Sequence, residues 1–113
     1  MKIQLYHKII RELGCCISGS PDPTLHHCHG GSMRQFGQLR GIGQKVSDWL
    51  VIPLHSVYHS MGQFAIDGSY GVRRWESTFG TQVYWLDWCR EHTGIDPFTM
   101  AGLRQPETVA KFP

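Results

Sequence analysis

Apolar positions recur at helical spacing first in residues 5–13, where Leu5, Ile9, Ile10 and Leu13 share one stripe and Gly14 follows as a stop. The spacing predicts a short amphipathic helix, with His7 off the stripe and in solvent. Cys15, Cys16, Ile17 and Ser18 lead into a turn where Pro21 and Pro23 exclude helix, and residues 24–29 then read as a strand. Residues 30–47 hold Gly30, Gly31, Gly37, Gly41 and Gly43 and follow neither period, which predicts a long loop. Trp49-Leu-Val-Ile-Pro-Leu54 is continuously apolar. It suits a buried strand paired with residues 24–29, with Pro53 at an edge or bulge. His55 and His59 follow, four apart and so on one face of a helix. After turns at residues 67–69 and 71, residues 72–80 and 81–94 predict two helices, each closed by a glycine, with Trp75, Phe79, Val83, Leu86 and Cys89 in the core. His92 lies where a helix-end imidazole meets the carbonyl dipole, Asp96-Pro97 opens a last short turn or helix, and residues 105–113 are expected to fray.

Composition narrows the class. A chain of 113 residues with 41% hydrophobic content, four Trp and five Phe suits one domain over residues 1–113 with a modest core. No apolar run approaches the length of a membrane span, and the N-terminus lacks an export pattern, so the expected location is the cytoplasm. In a reducing compartment Cys15, Cys16, Cys28 and Cys89 are expected as thiols or metal ligands rather than disulfides. The net charge of +2 permits nucleic-acid binding without requiring it, but Arg34, Arg40 and Lys45 fall in a stretch from Gly30 to Lys45 that has no acidic residue. Glycines there would let the backbone approach a partner, and the cations could sit on phosphates. Their spacing matches neither a dinucleotide fingerprint nor a phosphate loop.

The candidate chemistry sits in Thr24-Leu-His-His-Cys-His-Gly-Gly31, which crowds three imidazoles and a thiol into four positions. A core gains little from adjacent histidines, whose nitrogens must be hydrogen-bonded or left in water, whereas a metal or proton-transfer site needs them. Imidazole titrates near neutrality and can act as neutral ligand or general base. Strand alternation puts His27 and His29 on one face and His26 and Cys28 on the other. That suggests Cys28 in the core and His29 facing a nucleic acid or supporting the site.

Taken in order, Leu25-His26-His27, Gly41-Ile-Gly-Gln-Lys45, Ser47-Asp48, Trp49 to Leu54 and His59 resemble the HNH endonucleases. Within them the chain is most similar to the phage recombination-enhancement, RecA-dependent (Ref-type) nucleases. Trp75-Glu76 and Phe79-Gly80-Thr81-Gln82 resemble that family's helical tail. The resemblance implies an α+β fold: a small ββα-metal (HNH, His-Me finger) core at residues 15–63, an N-terminal helix and a helical tail at 72–94. It implies a DNA endonuclease that hydrolyses phosphodiesters with one divalent ion (Zn, Mn or Mg), with DNA as substrate and a RecA filament as partner. Carried residue by residue, it makes His26 and His59 metal ligands and His27 the base that takes a proton from water. Asp48 stands near the family's base-fixing Asn.

The chain departs from the family in two places. Gln63 stands where relatives repeat a histidine, leaving Asp67 and His55 as candidates for the third ligand. Cys15 with Ser18 and His55 with Tyr58 stand where relatives hold a structural zinc, so no complete zinc site is expected there. His55 is therefore a remnant of that site, a supporting ligand or a helix-start residue. The alternative function is a metal-stabilised DNA-binding or recombination-accessory module that does not cleave, with His26, Cys28, His55 and His59 closing around zinc. A third is a small metallohydrolase acting on something other than nucleic acid.

Overall fold

The computed structural model describes residues 1–41 and 45–113; the middle of the Gly41 to Lys45 motif lies outside the described residues. The fold is α+β. Helix α1 (Ile3–Glu12) leads to strand β1 (Thr24–His27), a 3-10 turn (Gly31–Phe36) and strand β2 (Val51–Leu54). Helices α2 (Ser56–His59), α3 (Val72–Phe79), α4 (Gln82–Thr93) and α5 (Pro97–Met100) follow. The strands form a two-stranded antiparallel sheet in which His26 pairs with Ile52 and His27 with Val51. Both strands of such a sheet are edges, which is why Pro53, lacking an N–H, is accommodated opposite Leu25.

β2 is buried along its whole length, packed by both α1 and α4. Tyr6 and Ile10 from α1, Leu50, Ile52 and Leu54 around β2, and Trp75 and Leu86 from the later helices form one core. The stripe on α1 is rotated from the expected one: Tyr6 is buried and Leu5 is half exposed. The Tyr6 ring packs on Trp49 with centroids 5.2 Å apart, contact that a stripe of aliphatic residues alone does not reveal. No described helix is long and apolar enough to cross a membrane.

Two segments carry more order than their sequence suggests. The glycine-rich stretch is not all loop, because residues 31–36 coil into the 3-10 turn, held at its start by Glu76: the Ser32 N–H and hydroxyl donate to its two oxygens at 3.0 and 2.6 Å. Nor is the end of the chain loose. Thr81, which caps α4 by accepting the Tyr84 N–H, donates its N–H to the Lys111 carbonyl and its hydroxyl to that of Ala110.

Gly31 shows how tightly these parts meet. Its φ is +47°, and a Cβ there would stand 2.2 Å from Glu76 Oε1 and 2.9 Å from a Val72 methyl. Glu76 cannot swing aside without releasing Ser32 and Gln82. Gly31→Ala is therefore expected to destabilise the fold by about 2 kcal/mol or more. Urea unfolding would register this as a lower midpoint with an unchanged slope.

Candidate metal centre

His26 and His59 reach the same carboxylate by different routes. β1 delivers His26, fully buried, from beneath the sheet. α2 is a single turn that ends at His59, and the chain then folds back so that the Ile66 and Asp67 amides donate to the Tyr58 and His59 carbonyls. The helix's free carbonyls thus dock the segment that carries Asp67. His26 Nδ1 lies 3.3 Å and His59 Nε2 3.2 Å from Asp67 Oδ2. His29 Nε2 lies 2.8 Å from Oδ1, and Arg40 stands 3.5 Å from that oxygen. Ligand atoms of His26, His29 and Asp67 lie within 4.8 Å of one another, a set able to hold a metal ion.

The far side of each ring determines what the near side can offer. Gln82 Oε1 accepts the His29 N–H at 3.0 Å, while its Nε2 donates to the His29 carbonyl and to Glu76. This fixes which end of the amide is oxygen, because a flipped amide would set a donor against a donor. His26 Nε2, 2.9 Å from that oxygen, must then carry the proton. In a neutral ring the lone pair is left on Nδ1, facing Asp67.

His59 follows the same logic. The Thr24 hydroxyl donates to the Leu54 carbonyl at 2.9 Å, so its oxygen is free only to accept, and His59 Nδ1 at 2.7 Å supplies that proton. The lone pair of a neutral His59 therefore sits on Nε2. Two imidazole lone pairs converge on one carboxylate oxygen, and three acceptors repel unless a positive charge lies between them. Burial opposes a proton in that role at His26, holding its pKa below the ordinary imidazole value despite the Asp67 carboxylate. Burial alone would raise the Asp67 carboxyl, but the imidazoles gathered around it, His29 donating to Oδ1 among them, outweigh it and hold the group far below the usual carboxylate range. Nitrogen and oxygen donors with this set of lone pairs fit a divalent cation.

The other expected residues divide between two further places. His27 points away from the cluster: its Nε2 lies 2.9 Å from Asp48 Oδ1, and both side chains are partly exposed. His7, expected in solvent, donates from Nε2 to the Asp48 carbonyl at 2.7 Å and sets its ring edge-on to His27. It fixes the Asp48 turn. Among the described residues no hydrogen bond links His27 to the Asp67 cluster, and the two are joined through β1 itself. Arg34 and Arg40 line a cleft beside His29, and Lys45 is exposed outside it.

Three expectations need correction. His29 does not share a face with His27, because β1 ends at His27 and the His29 N–H leaves the ladder for Gln82, turning its ring to Asp67 with His26. His55 does not join the cluster as a ligand: of the three roles open to it the helix-start one holds, because it is the N-cap of α2 and its Nδ1 accepts the Val57 N–H at 3.2 Å. Cys28 is wholly buried with its thiol toward the His26 carbonyl, so His26, Cys28, His55 and His59 do not assemble as four zinc ligands.

Gln82 and Glu76 were not expected at the site at all. Both are buried, and together they lock His26, the His29 backbone and the start of α4. Comparison with protein-family models, curated proteins and solved structures gave no match.

Proposed function

We propose that the protein is a metal-dependent DNA endonuclease of the HNH kind, with β1, β2 and α2 as its ββα-metal unit. The observation that carries this reading is the convergence of the His26 and His59 lone pairs on Asp67 Oδ2. His26 Nδ1, His59 Nε2 and Asp67 Oδ2 would hold one divalent ion, and His29 and Arg40 steady the carboxylate through its other oxygen. The ion, when bound, supplies a Lewis acid for the charge that grows on the scissile phosphate.

His27 is the general base. Asp48 accepts its Nε2 proton, which leaves the Nδ1 lone pair to take a proton from water, and the carboxylate then stabilises the imidazolium. Asp48 is a positioning residue in this scheme, and His7 holds it through the backbone. Arg34 and Arg40 bind backbone phosphates. Transfer of a water proton to His27, as the water oxygen bonds to phosphorus and the P–O bond to the leaving oxygen breaks, that oxygen then taking a proton from solvent, is the step that separates this reading from a DNA-binding module that does not cleave, which has no use for the His27–Asp48 pair.

The test is incubation of the purified protein with supercoiled and single-stranded DNA, with and without chelator, with Mg²⁺, Mn²⁺ or Zn²⁺ added back, and with and without a RecA filament. Cleavage that the chelator stops, that metal restores and that His26→Ala removes is the expected result. DNA binding without nicking under every metal would instead select the accessory module.

A further inference from the structure

Beside His29 the surface opens into a cleft of about 830 Å³, and the guanidinium groups of Arg34, Arg40 and Arg73 stand around it. They arrive from three segments: the 3-10 turn, the loop after it and the first turn of α3. Among the described residues neither Arg34 nor Arg73 has a carboxylate within ion-pair distance, and Arg40 reaches Asp67 at 3.5 Å with most of its side chain in solvent. Glu76 also lines the cleft, but both its oxygens are taken up by Ser32 and Gln82. Three guanidinium groups outnumber the Asp67 and Glu76 carboxylates beside them, and that excess of positive charge around a concavity favours an anionic occupant.

Leu39 and Val72 make part of the wall apolar, so the occupant that satisfies the whole cleft combines phosphate with a flat, weakly polar group. A nucleotide does both. The volume is that of a small-ligand site, which admits a nucleotide or two of an unpaired strand. A duplex keeps its bases stacked and presents its phosphates on a convex surface, so it cannot place a base there.

We infer that this cleft binds single-stranded DNA next to the metal centre, with Arg34 and Arg73 on its phosphates and a base against Leu39 and Val72. The inference rests on the nuclease reading and names its substrate form. Arg73 is the new member of the site: it comes from the helical part of the chain, far in sequence from the glycine-basic stretch.

The test is fluorescence anisotropy of a short labelled oligothymidylate and of a hairpin duplex, in EDTA so that cleavage plays no part, over a range of salt concentrations. The strand should bind about tenfold tighter than the duplex, by analogy with base contacts worth that much in other single-strand sites. Arg34→Ala and Arg73→Ala should each weaken strand binding several-fold and flatten the dependence of log K on log salt by about 0.7, one phosphate contact. Arg11→Ala, an exposed cation on α1, should change neither. Equal affinity for duplex, unchanged binding by both cleft variants, or displacement of the strand by inorganic phosphate as readily as by thymidylate would each overturn the inference. His26→Ala separates the two claims. Strand binding that survives in this variant while the wild type shows no metal-dependent cleavage removes the nuclease reading alone. Metal-dependent cleavage with no cleft-dependent strand binding removes this one alone.

Discussion

Asp67→Ala is expected to lower affinity for Zn²⁺ or Mn²⁺ by a hundred-fold or more, and DNA cleavage with it. Asp67 Oδ2 is the point on which both His26 and His59 converge, and its other oxygen anchors His29. Removing the carboxylate takes away one ligand outright and the charge that balances the ion. The backbone bonds that dock residues 66 and 67 on α2 are kept. His29→Gln should cost less, about tenfold, the range seen when a group that orients a ligand is lost. Here His29 donates to Oδ1 and does not need to touch the ion. Calorimetric titration of zinc into each variant measures both. A larger loss in His29→Gln than in His59→Gln would replace His59 by His29 in the ligand set, since the His29 nitrogen is also within reach of the same ion. Circular dichroism of the metal-free proteins keeps this distinct from unfolding: Asp67→Ala removes the acceptor of the His29 ring but leaves the buried core of β2 and the helices untouched.

What the sequence revealed and what it hid follow from the range of the forces involved. The helices α3 and α4 were legible because their apolar spacing and closing glycines are local, and the pairing of β1 with β2 was legible because the second segment is too apolar to be anything but buried. His26, His59 and Asp67 come together only after α2 stops at one turn and the chain folds back on its carbonyls, which nothing in residues 60–66 announces. Strand alternation misplaces His29 for a definite reason: β1 ends two residues earlier, at His27, and the Gln82 side chain takes over from the strand.

Gln82 and Glu76 did leave a trace. Gln82 lies on the same stripe as Leu86 and Cys89, and Glu76 on that of Val72 and Phe79, so each puts a polar side chain where the period calls for an apolar one. A polar residue on an apolar stripe must find partners in the interior. Here the partners are Ser32, the His29 backbone and His26, so the part of the chain resembling a helical tail is the wall that holds the centre.

His27→Ala is expected to reduce the rate of cleavage by about a hundred-fold to ten-thousand-fold, the range for losing a positioned general base, while metal affinity stays within about twofold of the wild type. The separation follows from the geometry. His27 lies on the other side of β1 from the buried ring of His26, bonded to Asp48 and not to Asp67, so its removal leaves every candidate ligand in place. Asp48→Asn should lower the rate through the same route, since the amide still meets the ring but no longer balances its positive charge after proton transfer. The rival base is His29. It lines the arginine cleft, its Nε2 is held by Asp67, and its Nδ1 has no partner among the described residues. A His29→Ala protein that keeps its metal and loses more rate than His27→Ala would move the proton transfer to His29 and leave the His27–Asp48–His7 group as a brace for the β1 edge. The reverse order, with the larger loss at His27 and metal binding intact in both, assigns the proton to the exposed side of the strand and the ion to its buried side.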